Sequence, residues 1–264
     1  MLPAAKRIYW KLFANELKTD FSPEIYDELA ALKCIVSYNK YGGYCVPESS
    51  VHRPAAKAIL TNDVWEPQTI HFIIENCGNG DVVHAGTFFG DFLPAVSKCL
   101  TKNSKLWAFE PNPENYRCAR ITLEINDINN VVLTNAGLGA KREILLLQTM
   151  DETGRALGGA SRIIGKKKNE AILGKSVQIV TIDDTIGSDR NVSIIQLDVE
   201  GYEKEALSGA LQIIKRCLPI LILEVLPNST LLDSDWFVEN ILNLGYQKIN
   251  NIHENSVFIC MTHE

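Results

Sequence analysis

Several features that would identify a class of protein are missing from this 264-residue sequence. No apolar run approaches the roughly 20 residues of a membrane-spanning helix, because Pro219 and Glu224 interrupt the longest one. The net charge of −6 lacks the basic excess of a dedicated nucleic-acid binder. No two of the seven cysteines are spaced as C-x-x-C, which argues against a zinc site or a disulfide framework. Lys11 interrupts the first apolar stretch, so no secretory signal is expected, and we predict a cytoplasmic protein.

The composition is that of an ordinary globular protein. After residue 80, short apolar runs alternate with segments of helical periodicity. We predict a mostly parallel open α/β sheet with helices on both faces. The predicted strands are Asp81–His84, Leu106–Phe109, Val131–Leu133, Arg142–Gln148, Val177–Ile182, Ser193–Leu197, Pro219–Glu224 and Val257–Cys260. The predicted helices are Gln68–Asn76, Phe92–Cys99, Glu114–Asn126, Lys204–Ile214 and Asp235–Leu242.

Residues 1–66 differ from the rest, and we predict a helical N-terminal extension before a domain of residues 67–264. Apolar side chains recur at helical spacing over Ile8–Leu17, and Ser22-Pro23-Glu24 is typical of a helix start. Tyr38–Pro47 is predicted as a loop and Pro54–Leu60 as a helix. The first apolar stripe could form a subunit contact, so a homo-oligomer is possible.

Ligands of an open parallel sheet bind at the carboxyl ends of its strands. The first such end carries Gly86 and Gly90, spaced as G-x-x-x-G. The dinucleotide fingerprint G-x-G-x-x-G is absent, which favours a ligand without a pyrophosphate. A plain strand-to-helix turn is the alternative interpretation.

The next two strand ends suggest a nucleoside. Glu110 follows the second strand, where an acid can accept hydrogen bonds from both ribose hydroxyls, although it could also be a capping or surface acid. Asn135–Gly139 follows the third strand and could border an adenine or form an ordinary turn.

Acidic residues follow the fourth strand end. Asp198 could act as a general base, orient a substrate hydroxyl or bind a metal, with Glu200 and Glu203 close by. Acids at a helix N-terminus, stabilised by the helix dipole, are the alternative. The glycine-rich region Asp151–Lys175 is long for a structureless connection, so we predict either a functional lid or a mobile surface insertion.

Together these motifs resemble the FkbM family of S-adenosylmethionine-dependent methyltransferases, over about Asp81 to Glu224. The most specific piece is Leu197-Asp198-Val199-Glu200-Gly201-Tyr202-Glu203, and Phe109-Glu110-Pro111-Asn112-Pro113 and Thr181-Ile182-Asp183-Asp184 also match. The resemblance implies a Rossmann-like class I methyltransferase fold and S-adenosylmethionine as cofactor. It implies that the cofactor is bound by His84, Gly86, Phe88, Gly90, Asp91, Glu110, Asn112, Asn135, Gly137 and Leu138. His84 stands where the family usually has Asp, and Asp91 could substitute for that acid.

The family's usual products imply O-methylation of a hydroxyl on a small molecule, sugar or natural product. Asp198 is the first candidate for the base that takes the hydroxyl proton, and His52 is the second because an imidazole titrates near neutrality. No full set of metal ligands is visible in the sequence. A non-catalytic binding protein of the same fold and a nucleotide-dependent oxidoreductase remain as alternatives.

Overall fold

The computed structural model describes residues 32–165 and 174–261, so the predicted helix at Ile8–Leu17 and the helix start at Ser22 lie outside the described residues. The strands are β1 (Cys34–Asn39), β2 (Gly42–Pro47), β3 (Asp81–Ala85), β4 (Leu106–Phe109), β5 (Val131–Thr134), β6 (Gly137–Leu138), β7 (Glu143–Gln148), β8 (Arg162–Gly165), β9 (Gly174–Val180), β10 (Val192–Leu197), β11 (Ile220–Glu224), β12 (Tyr246–Ile252) and β13 (Asn255–Cys260). The helices are α1 (Pro54–Leu60), α2 (Pro67–Asn76), α3 (Leu93–Cys99), α4 (Pro113–Ile125), α5 (Ile182–Thr185), α6 (Glu203–Ser208), α7 (Leu211–Cys217) and α8 (Asp235–Asn240).

A seven-stranded sheet in the order β12-β13-β11-β10-β3-β4-β5 forms the centre of the molecule. Strands β5, β4, β3, β10 and β11 are parallel, whereas β13 runs antiparallel to both of its neighbours. The chain order reverses between β3 and β10, which is the switch point where open α/β sheets bind ligands. The predicted mostly parallel, Rossmann-like open α/β sheet with helices on both faces is confirmed.

Alternate residues of the central strands face two separate cores, one on each face of the sheet. Val83 and Leu197 belong to a core that includes Leu207 of α6 and Ile214 of α7. Val82, Ile194 and Ile222 belong to the other, which includes residues of α2, α3 and α4. Because both faces are covered by helices, β3 is buried along its whole length, as its apolar sequence predicts.

The predicted strands at Arg142–Gln148 and Val177–Ile182 exist, but they do not join the central sheet. They correspond to β7 and β9, which form a second sheet in the order β6-β9-β7-β8. Strand β8 lies within Asp151–Lys175, for which the sequence predicts a functional lid or a mobile surface insertion. Periodicity identifies strands but does not identify their partners, and for this reason the second sheet was not predicted.

The segment Tyr38–Pro47, predicted as a loop, is instead part of the hairpin of β1 and β2. β2 is almost entirely buried, and its Cys45 N–H donates to Thr122 Oγ1 of α4 at 3.0 Å. The boundary between residues 66 and 67 remains a prediction. The helix predicted over Lys204–Ile214 is two helices, α6 and α7, separated at Gly209 and Ala210.

The sequence does not predict the edge strand β12, because Gln247 to Asn251 are all exposed and mostly polar. They therefore lack the apolar pattern of a buried strand. Strand β12 pairs with β13 across a turn at His253 and Glu254. Across the described ranges, no helix has the length and apolar character needed to cross a bilayer.

Candidate active site

Two adjoining cavities lie at the carboxyl ends of β3, β4, β10 and β11. The larger has a volume of about 350 Å³ and the smaller about 30 Å³. Both are lined by Gly86, Gly159 and Asp198, so they adjoin at these residues, and together they are called the cleft. The larger cavity falls in the size range of small-molecule sites, roughly 300–1,000 Å³. Gly159 belongs to the glycine-rich region for which a lid was one of the two predictions.

The turn after β3 brings the backbone of β10 close to the cleft. Gly86 has φ +86°, and a side chain there would collide with the carbonyl oxygen of Asp198. Asp198 N–H in turn donates to the Ala85 carbonyl at 3.1 Å. Only glycine combines this φ with this approach. Gly90 also has φ +86°, but it packs against Leu93 and Ala119 and lines neither cavity.

Glu110 is held at the wall of the smaller cavity and is only 3% exposed. Its two carboxylate oxygens accept the Phe88 and Asn112 backbone N–H groups, each at 2.8 Å. Burial raises its pKa to about 8, although these two N–H donors act in the opposite direction. Oε1 also lies 3.5 Å from the Asn115 amide nitrogen, which donates to it, whereas Oε2 keeps a second acceptor site that can receive a hydroxyl group.

Of the other residues predicted to bind the nucleoside, some line the smaller cavity and others hold its backbone in place. Gly137 and Leu138 line the smaller cavity. Asn135 is exposed, and its amide donates to the Glu110 carbonyl at 2.8 Å, so it fixes the backbone there. Asn112 caps α4 by accepting the Glu114 N–H at 3.1 Å.

His84 is buried beneath the larger cavity. Its Nδ1 is 2.5 Å from Gln196 Oε1, an acceptor, so Nδ1 carries the proton. The ring stacks on Phe92 with centroids 5.0 Å apart, and burial lowers its pKa to about 4. Its Nε2 is buried and has no hydrogen-bond partner among the described residues. The imidazole is therefore neutral at pH 7 and presents an acceptor without a donor.

Carboxyl groups dominate the larger cavity. Burial and the neighbouring Glu224 raise the pKa of Asp198 well above its usual value. Burial and Glu66 raise the pKa of Asp91 and of Glu224 to about 7. Glu200 also lines this cavity, and its pKa is raised by burial. Glu203, by contrast, accepts the Gly201 N–H at 3.0 Å and lines neither cavity. This fits the alternative interpretation, an acid in the first turn of a helix.

Unfavourable backbone conformations are concentrated at this cavity. Glu66, Phe88, Glu200 and His253 are non-glycine residues with φ between +44° and +55°, and all four line it. Such conformations cost roughly 1–3 kcal/mol each and cluster at functional sites. This clustering supports the assignment of the larger cavity as functional.

The structure does not bring every candidate residue to the cleft. His52 lines neither cavity, and burial with the nearby Arg155 lowers its pKa. Trp65, Glu224 and His253 line the larger cavity but were not selected from the sequence. Applying the strand-end rule to Pro219–Glu224 would have found Glu224. His253 lies in a turn that could not be predicted while β12 was missed.

A family comparison matches most of the chain. The family model described as the methyltransferase FkbM domain matches residues 69–247, which confirms the resemblance seen in the motifs. No curated protein is a significant match to the chain.

Solved structures similar to this chain are distant in sequence. A methyltransferase FkbM from Methylobacillus flagellatus is 19% identical with a TM-score of 0.48, covering 69% of this chain and 43% of that one. A Pyrococcus abyssi tRNA (uracil-54, C5)-methyltransferase in complex with S-adenosyl-L-homocysteine is 10% identical with a TM-score of 0.43, covering 86% and 43%. A SAM-dependent methyltransferase from Aquifex aeolicus is 14% identical with a TM-score of 0.39, covering 91% and 97%. The chain therefore spans less than half the length of the first two.

Proposed function

The chain belongs to the FkbM methyltransferase domain family, and we propose that it transfers the methyl group of S-adenosylmethionine to a hydroxyl of a small molecule, sugar or natural product. The observation that carries this proposal is the cleft of two adjoining cavities at the sheet switch point. It has Glu110 at its narrow end and Asp198 where the two cavities meet.

The residues present fit this cofactor. Glu110 Oε2 offers a free acceptor position for a ribose hydroxyl, and Gly86 lines both cavities without a side chain. The unpaired Nε2 of His84 can accept one hydrogen bond from an ammonium group, although a neutral imidazole cannot balance its charge. When bound, S-adenosylmethionine supplies a methyl group activated by its sulfonium.

The protein's own contribution is to position the acceptor and remove its proton. We assign Asp198 as the base because it lines both cavities. Burial and Glu224 raise its pKa from the ordinary carboxylic acid range toward that of a useful base. His52 is the weaker candidate because it lines neither cavity.

Calorimetry of S-adenosylhomocysteine binding tests the cofactor assignment. Glu110→Gln should weaken binding by at least tenfold, because one oxygen that accepts a hydroxyl is replaced by a donor. Glu124→Gln is the matched control, since Glu124 is exposed on α4 and pairs with Arg120 at 3.7 Å. Both variants must retain the wild-type circular dichroism spectrum.

The outcomes separate the alternatives. Absence of S-adenosylhomocysteine binding in folded protein would refute the proposal, and NADH binding in its place would favour an oxidoreductase. Binding without methylation of any compound in a broad hydroxyl panel would favour a non-catalytic role.

A further inference from the structure

A short segment of the glycine-rich region covers the smaller cavity. Residues 158–161, called the strap, form a single 3₁₀ turn that ends at Ser161. Gly159 and Ser161 line the smaller cavity, and Gly159 and Ala160 line the larger one. Because the smaller cavity holds only about 30 Å³, it has no room for a nucleoside while the strap lies in this position.

Both ends of the strap are anchored at the end of β7. The Leu157 N–H donates to the Thr149 carbonyl at 2.9 Å, and Arg162 pairs with Gln148 between β8 and β7. The sequence between these anchors is Gly-Gly-Ala-Ser, which has no large side chain. The strap therefore buries little apolar surface of its own, and segments of this kind open at a low free energy.

Two amide side chains of α4 hold the strap in place. Asn115 Nδ2 donates to the Gly158 carbonyl at 3.1 Å, and Asn112 Nδ2 donates to Ser161 Oγ at 3.1 Å. Ser161 Oγ donates in turn to the Gly158 carbonyl at 2.7 Å, so the two contacts are linked. Asn115 is 1% exposed, and its Oδ1 is buried without a partner among the described residues. What this amide contributes is therefore its Nδ2 donor.

The residues that hold the strap also hold Glu110. The Phe88 and Asn112 backbone N–H groups donate to its carboxylate at 2.8 Å, and Asn115 Nδ2 lies 3.5 Å from its Oε1. The strap packs directly on the Phe88 ring, since a Cβ at Gly158 would lie 3.0 Å from Phe88 Cζ. A ligand that hydrogen-bonds to Glu110 is therefore in contact with the groups that keep the strap closed.

We propose that the strap is a lid over the cofactor site and that Asn112 and Asn115 are positioning residues that latch it. The strap opens to admit the nucleoside of S-adenosylmethionine, and the two amides then hold it over the bound cofactor. This inference rests on the proposed methyltransferase function and concerns how the cofactor enters and leaves. Because Gly159 and Ala160 also line the larger cavity, closure shapes that cavity and excludes water from the site.

Surface plasmon resonance of S-adenosylhomocysteine on the immobilised full-length protein tests the latch. Ser161→Ala removes the hydrogen bond from Asn112, and Asn115→Ala removes the one to Gly158. A weaker latch makes the free protein open more often and lets the bound ligand escape sooner. Each variant should therefore raise both the association and the dissociation rate constant about fivefold, while Kd changes by less than about threefold.

Thr153→Val is the matched control. It removes a hydroxyl that donates to Asp151 at 2.7 Å in the same glycine-rich region, and Thr153 lines neither cavity. This variant should keep both wild-type rate constants. All three variants must retain the wild-type circular dichroism spectrum, and Ser161→Ala suffices by itself if Asn115→Ala does not fold.

Each other outcome has a separate meaning. Unchanged rate constants in Ser161→Ala and Asn115→Ala would refute the latch and leave the proposed function intact. A rise in the dissociation rate constant alone would show damage to the ribose site and would also refute the latch. Faster exchange in Thr153→Val as well would show that the whole region had loosened, with the same consequence. Failure of the wild-type protein to bind S-adenosylhomocysteine would refute both the proposed function and this inference.

Discussion

The close approach of Gly86 to the backbone of β10 allows a quantitative test with a matched control. Gly86 and Gly78 both have positive φ, +86° and +54°. A Cβ at Gly78 meets nothing within 4 Å, whereas a Cβ at Gly86 would overlap the Asp198 carbonyl. Gly78→Ala therefore introduces only backbone strain, and Gly86→Ala introduces the same kind of strain together with a steric clash.

An L-residue in the left-handed region costs about 1–2 kcal/mol, and overpacking a rigid site adds about 1–3 kcal/mol. We expect Gly78→Ala to destabilise the protein by about 1–2 kcal/mol and Gly86→Ala by about 2–5 kcal/mol. Near this chain length, 1 kcal/mol corresponds to roughly 2–4 °C in Tm. Urea unfolding and thermal melts of both variants measure the difference.

Gly86→Ala should also weaken S-adenosylhomocysteine binding, because the clash displaces Asp198 at the junction of the two cavities. Gly78→Ala should bind as the wild type does. Equal destabilisation of the two variants would refute the reasoning, since it would mean that β3 and β10 separate at no cost.

Two further predictions concern pH and the second sheet. The native pKa of Asp91 and Glu224 is about 7, above the unfolded value near 4, so their protons stabilise the native state fully below pH 4. That stabilisation is lost as the pH rises through 7. The urea midpoint of Asp91→Asn, relative to that of the wild type, should therefore increase from pH 5 to pH 8. If the two midpoints changed in parallel with pH, this prediction would be contradicted. The smaller cavity holds about 30 Å³, enough for one or two waters, so a nucleoside must displace the segment 158–163. S-adenosylhomocysteine should then increase hydrogen-exchange protection of residues 158–163 but not of α7, and unchanged exchange in this segment would contradict a nucleoside site here.

The sequence by itself determined the parallel strands of the central sheet and the residues that follow them. β3, β4, β10 and β11 are short and mostly apolar, because parallel strands covered on both faces tolerate few polar side chains. Since parallel strands present their carboxyl ends at one edge, Gly86, Glu110 and Asp198 could be assigned to one site. Those three residues line the cleft, as their positions predicted.

Only the tertiary structure decided which side chains share a cavity and what surrounds each of them. Asn135 and Asn112 match the family motifs, yet neither lines a cavity. Asn135 donates to the Glu110 carbonyl, and Asn112 caps α4 and donates to Ser161, which lines the smaller cavity. Glu66 and Glu224 are 158 positions apart and meet in one cavity through long-range pairing that local patterns do not encode. The neutral state of His84 likewise depends on its burial, and its tautomer depends on Gln196, which reaches it from the neighbouring strand. Local periodicity reflects only which face of an element is buried, whereas charge, tautomer and cavity depend on groups brought together by folding.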